Sequence, residues 1–141
     1  MRAGIALTLF TVISVIFCGL SYAGEEPQVK NRYKIVKTIY LMATYNSLNN
    51  RQLSRETACA YLHAEEYANK SEVAFQCGVP VGTIMTIIGP VPEIWLPFVA
   101  KRYFVQLDPD LSRGLDVILA LNRGIEGNLD GLNPELFGRL E

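Results

Sequence analysis

Val29-Lys-Asn-Arg-Tyr-Lys-Ile-Val-Lys-Thr-Ile-Tyr-Leu-Met-Ala-Thr-Tyr45 is the stretch on which the fold turns. Val29, Tyr33, Val36, Ile39, Tyr40 and Ala43 recur at three- and four-residue steps, while Lys30, Lys34 and Lys37 take the other side. That spacing is the stripe of an amphipathic helix, and it predicts one over 29–45. Asn46-Ser-Leu-Asn-Asn50 then reads as a loop. Ser54 is placed to cap a second helix over about 54–70, Glu56 favours its positive end, and Ala58, Tyr61, Leu62 and Ala68 continue an apolar stripe.

Downstream, Gly78-Val-Pro80 marks a turn. Thr83-Ile-Met-Thr-Ile-Ile88 is too short to be settled by its period, since a buried strand fits as well as a helix; the reading here is helical. Pro92-Glu93 has the form of a helix start, and the expected helix carries Ile94, Trp95, Phe98, Val99, Phe104 and Val105 toward Leu107. Asp108-Pro109 caps another, with Leu111, Leu115, Ile118 and Leu119 in line before Gly124. Asn133-Pro-Glu135 begins a last short turn bearing Leu136, Phe137 and Leu140, after a glycine-containing stretch from about 126 that reads as a flexible tail. The expected fold class is all-α: four or five short helices in one domain, residues 24–141.

The N-terminus sets the compartment. Met1-Arg2, an apolar run from Ile5 to Leu20 and the small-x-small site Ser21-Tyr22-Ala23 read as a secretory signal peptide over 1–23. An uncleaved anchor is the alternative, because the run approaches the ~17 residues that span a bilayer. A lipid anchor on Cys18 is disfavoured by the bulk of Val15-Ile16-Phe17. The expected location is the periplasm.

Cleavage would remove Arg2 from the thirteen basic residues and none of the fourteen acids, leaving twelve against fourteen and a net charge of −2. Nucleic-acid binding needs an excess of cation to displace counterions, so nucleic acid is not an expected partner. The distribution is uneven. Lys30, Arg32, Lys34, Lys37, Arg51 and Arg55 occur between Pro27 and Arg55 with no acid, and acids predominate after Tyr103. Two readings stand: mutually steadying solvated faces, or a footprint for an acidic partner or an anionic membrane.

With Cys18 lost alongside the signal, Cys59 and Cys77 alone enter an oxidising compartment, which predicts one structural disulfide. Closing a loop of that size stabilises a domain by about 3 kcal/mol. No CxxC pattern supports a redox role.

No catalytic signature is present. The single histidine, His63, stands three residues from Glu66 on an expected helix, yet two ligands do not complete a tetrahedral metal site and no GxSxG motif supplies a nucleophile. The chain reads as a non-enzyme with no metal and no cofactor. Val79 to Ala100 is long and apolar enough to touch a membrane, but Pro80, Gly82, Gly89, Pro90, Pro92 and Pro97 argue for a core segment with Trp95 and Phe98 exposed for docking.

The order Cys59-Ala-Tyr61, a spacer, Cys77-Gly-Val-Pro-Val-Gly-Thr83, and Leu107-Asp-Pro-Asp-Leu111 before an apolar helix resembles the Rap/Tai family of type VI secretion immunity proteins over about residues 54–125. That resemblance implies a small, exported, disulfide-bonded helical protein that binds and blocks a toxin, often a peptidoglycan amidase, in the periplasm. Acid-stress periplasmic chaperones of the Hde type share the two-cysteine helical plan. The function expected is therefore neutralisation of a protein partner, with Trp95, Phe98, Tyr61, His63 and Glu66 as its contact residues. The alternatives are an envelope structural component and a periplasmic chaperone. A homodimer is left open.

Overall fold

The computed structural model describes residues 26–68, 71, 73–92, 101–121, 127–128 and 131–141. Among these residues there is no helix. The chain forms β1 (Arg32–Ile35), β2 (Ile39–Tyr45), β3 (Ala58–His63), β4 (Val73–Val79), β5 (Ile84–Pro90), β6 (Arg102–Asp108), β7 (Val117–Ala120), β8 (Gly127–Asn128), β9 (Gly131–Leu132) and β10 (Phe137–Leu140). Eight of them make one sheet in the order β10-β1-β5-β6-β7-β3-β2-β4, antiparallel except for the β3–β7 pair. The other two, β8 and β9, pair with each other.

The sheet closes on itself. Arg32 lies opposite Thr86, Lys34 opposite Ile84, Ile39 opposite Val79 and Ala43 opposite Phe75, so the paired residue numbers keep one constant sum across the gap between β1 and β2. Two backbone bonds carry the ladder across that gap: Ile35 N–H donates to Thr83 O at 2.9 Å and Gly82 N–H to Ile35 O at 2.8 Å. Residues 32–45 and 73–90 thus form one bent antiparallel ribbon. Its first strand pairs with β5 through β1 and with β3 through β2, and β6 and β7 bridge the remaining distance. The result is a five-membered barrel, with β10 and the β4 half of the ribbon as overhanging edges. Gly82, at φ +96°, makes the bend in the second ribbon strand in a region that a Cβ would disfavour.

Between the bends and register shifts, odd-numbered residues of the ribbon face inward. Tyr33, Ile35, Ile39, Leu41 and Ala43 join Val79, Met85 and Ile87, with Ala58, Ala60 and Leu62 of β3, Tyr103, Val105 and Leu107 of β6, and Val117 and Leu119 of β7, in a single buried cluster. Side chains fill the interior, as in other small barrels, and the alanines of β2 and β3 leave room for the larger residues opposite. Leu132, Leu136 and Phe137 extend the same cluster, so the C-terminal stretch expected to be a loose tail places Phe137 in the core and β10 beside β1.

The all-α expectation is overturned, and the reason is one of period. The helical stripe over 29–45 requires Val36 on the buried side and leaves Leu41 out; Val36 is 43% exposed and Leu41 0%. Alternation by two fits every inward position, and a one-residue error in period exchanges the faces. In β3, Ala58 and Leu62 satisfy both spacings, so a short segment could not decide between them. The expected helix over 83–88 is β5, the latter part of the one from Pro92 is β6, and the one from Asp108 is a turn followed by β7. In that turn Leu115 N–H donates to Ser112 O at 3.1 Å across the left-handed pair Arg113 (φ 55°) and Gly114 (φ 84°), the mirror-image geometry that suits a hairpin.

The expected disulfide is also overturned, because Cys59 and Cys77 are both free thiols. Cys59 lies opposite Thr44 on the outward side of β3, between the buried Ala58 and Ala60. Cys77 lies opposite Leu41 and packs against the interior. Two strand spacings, ~9.6 Å, already exceed the ~7 Å Cα separation that a disulfide tolerates, and the two thiols point to opposite faces of the sheet. The helical, disulfide-bonded plan that the family resemblance implied is not the plan of this chain.

Candidate protein-binding face

β3 places Tyr61 and His63 two residues apart on the outward face of the barrel, beside Cys59. Of the five expected contact residues, the structure brings these two together. Glu66 is exposed just past the end of β3, and Trp95 and Phe98 lie outside the described residues. The His63 ring stacks on Tyr67, with centroids 6.1 Å apart and planes 11° from parallel. His63 is thus part of an aromatic surface; no group of three potential metal ligands gathers among the described residues.

Strand register extends this surface into a row. Met42 lies opposite Tyr61, Tyr61 is level with Ile118 of β7, and Ile118 is opposite Phe104 of β6. Paired residues share a face, so Met42, Tyr61, Ile118 and Phe104 run side by side across four strands on the outside of the barrel. Met42 and Ile118 are only 7% and 6% exposed, yet they stand apart from the interior cluster. The outer wall therefore has apolar packing of its own.

Polar groups border the row. The Cys59 thiol donates to the Tyr61 hydroxyl at 3.3 Å and lies 3.5 Å from Asn46 Oδ1. Burial, with the Cys59 hydrogen bond and charge second, pushes the Tyr61 phenol up to about 12 against a smaller opposing pull from Arg102. Tyr61 therefore stays a neutral hydroxyl at any physiological pH. Arg102, on the outer side of β6, has an Nε shielded from solvent with no hydrogen-bond partner among the described residues. A buried donor left unsatisfied is costly, and Arg102 carries that cost on the outer side of β6.

Phe104 also belongs to an open cleft of about 560 Å³ that continues the face toward β5, lined by Arg55, Ile88, Gln106, Asp110 and Asp116 among others. Ile88, outward by the strand's alternation and beside the irregularity between Ile87 and Gly89, is 50% exposed at the cleft's edge. On the wall, Arg55 Nη2 donates to Asp116 Oδ1 at 2.7 Å and Nε to the same oxygen at 3.2 Å. Asp110 accepts from the Ser112 backbone N–H at 2.8 Å; its bonds from the Ser112 side chain and backbone hold its carboxyl below the usual range. Charged and polar side chains thus share the cleft about equally with apolar ones.

The sequence reading missed Met42, Phe104, Ile118, Arg102, Arg55 and Asp116 as site residues. A signal was present for two of them. Leu41-Met42-Ala43 and Val117-Ile118-Leu119 are unbroken apolar runs, and in a strand whose neighbours face the core the middle residue must point outward. Phe104 and Arg102 carry no such mark.

No family model matches this chain, and no curated protein and no solved structure matches it. The architecture and the face define the class by themselves: a small β-barrel with an apolar, aromatic outer wall.

Proposed function

We propose that this chain is a periplasmic binding protein that engages and neutralises a protein partner through the outer wall of β2, β3, β7 and β6. One observation carries the reading: the half-buried Tyr61 and Phe104, in register on a row backed by Met42 and Ile118, lead into an open cleft edged by the exposed Ile88. Interface energy concentrates in aromatic and arginine residues surrounded by polar rims, and that is the composition of this wall. Export on residues 1–23 supplies the compartment. Within that reading, the finer proposal is immunity: occlusion of a secreted cell-wall-degrading toxin, as the motifs from Cys59 to Leu111 imply.

The test is a pull-down from periplasmic extract with the wild-type chain and with Phe104→Ala, followed by co-expression with a toxin encoded beside it. The expected result is one partner retained by the wild type, with affinity reduced at least tenfold by Phe104→Ala, about 1.4 kcal/mol. Recovery of the same partner at equal affinity by both proteins refutes the assigned face. Partner capture without protection of the cells refutes immunity and leaves binding standing.

A further inference from the structure

A second surface lies away from the aromatic wall. The acid-free basic run from Lys30 to Arg55 is divided by the fold. Arg55 is drawn to Asp116 at 2.7 Å. Arg32 and Lys34 alternate outward from β1, both exposed, with Lys30 in the turn before them and Lys37 just after the strand. None of these four has an ion-pair partner among the described residues.

Exposed apolar side chains lie among them: Val29 at 54%, Val36 at 43% and Val81 at 56%. Val36 has the same outward parity as Arg32 and Lys34. Val81 sits in the ribbon bend that Gly82 ties to Ile35. Three carboxylates flank the strip: Asp108, across Ile84 from Lys34; Glu141, next to the Leu140 that faces Arg32; and Glu135, next to the Leu136 whose carbonyl accepts from Val36 N–H. Four cations against three acids leave an excess of one positive charge.

We propose that this strip docks on an anionic lipid surface, its cations on the headgroups and its valines at the boundary beneath them. Cations interleaved with exposed aliphatic residues match both layers of such a surface, whereas an acidic protein segment would leave the valines unused. Chain length supports the placement. Glu26 is fixed to the barrel by Lys101 Nζ at 2.8 Å and by the Tyr103 hydroxyl at 3.3 Å. The apolar run ends at Leu20, so the residues between reach at most ~20 Å. On the alternative of an uncleaved anchor, the barrel thus stays within that distance of the bilayer.

The test compares partitioning of the full chain onto phosphatidylglycerol-rich and pure phosphatidylcholine vesicles. The ratio of the two isolates the electrostatic contribution from any insertion of the apolar run, which does not depend on lipid charge. The expected ratio is well above one at low salt, falls as ionic strength rises through about 0.15 M, and drops about 25-fold in Arg32→Gln/Lys34→Gln, fivefold for each cation. Arg51→Gln, in the loop after β2, leaves it within about twofold. A wild-type ratio near one, or a ratio indifferent to the double substitution, overturns the proposal. So does a double variant that loses an acidic co-purifying protein while its lipid ratio stays at the wild-type value. None of these outcomes involves the aromatic wall, so the partner-binding reading stands or falls separately.

Discussion

Leu41→Ala and Val36→Ala, compared in one chain, test the barrel directly. Leu41 is fully enclosed, facing Leu62 on one side and Cys77 on the other, and belongs to the interior cluster. Removing its isopropyl group leaves a cavity in a ring of five strands that has little freedom to collapse, so the expected cost is about 3 kcal/mol. Val36 is 43% exposed, outside the cluster, and its truncation is expected to cost under about 0.7 kcal/mol. Urea denaturation followed by far-ultraviolet circular dichroism measures both, with an unchanged slope showing that the same surface unfolds. In thermal scans the Leu41 variant should melt about 12 °C lower and the Val36 variant within about 3 °C of the parent. An amphipathic helix over 29–45 demands the reverse order. If Val36→Ala proves the costlier substitution, the alternation by two and the closed ribbon built on it are refuted.

Two further outcomes follow from named contacts. Because Cys59 and Cys77 occupy opposite faces, reductant should shift the melting temperature by less than about 1 °C, and the protein denatured without reductant should show both thiols to an alkylating reagent; loss of a native disulfide would instead cost about 2–5 kcal/mol. Glu26 is held below the ordinary 4.5 by its hydrogen bond and charge interaction with Lys101 and by the Tyr103 hydroxyl. A depressed folded-state value means that this contact contributes above the unfolded-state value and is lost as pH falls through the lower folded one. Hydrogen exchange at the Lys30 amide, which bonds Ile87 O at 2.8 Å, should therefore stay protected above the ordinary carboxylate value of 4.5 and open progressively as pH falls below it. Lys101→Gln should weaken that dependence while the Leu41 amide keeps its protection; identical profiles in both proteins would dissociate Glu26 from the N-terminal contact.

Much of the candidate site was within reach of the sequence, though not through the helical reading that first suggested it. Tyr61 and His63 share a face on β3 because residues two apart do so in a strand, whereas the expected pairing of His63 with Glu66 depended on a helical turn. Met42 and Ile118 were marked by apolar runs that have no inward use for their middle residue. Phe104 and Arg102 were not marked, because they belong to the wall only through pairing with β7, and Asp116 meets Arg55 across 61 positions of sequence.

Composition and local order determined by themselves the near-neutral balance, the apolar N-terminal run, the absence of a catalytic motif and the concentration of cations before residue 55. These are properties of residues in sequence and survive any folding of the chain. The choice between helix and strand, the separation of the two thiols and the assembly of both surfaces were decided by tertiary structure. Segments such as Ala58–His63 satisfy both periods over so few residues that local preference cannot settle them. Their conformation was fixed by the partners that closing the barrel brought alongside: Leu41 opposite Leu62, Ile118 level with Tyr61, and a ribbon whose two halves meet opposite ends of one sheet.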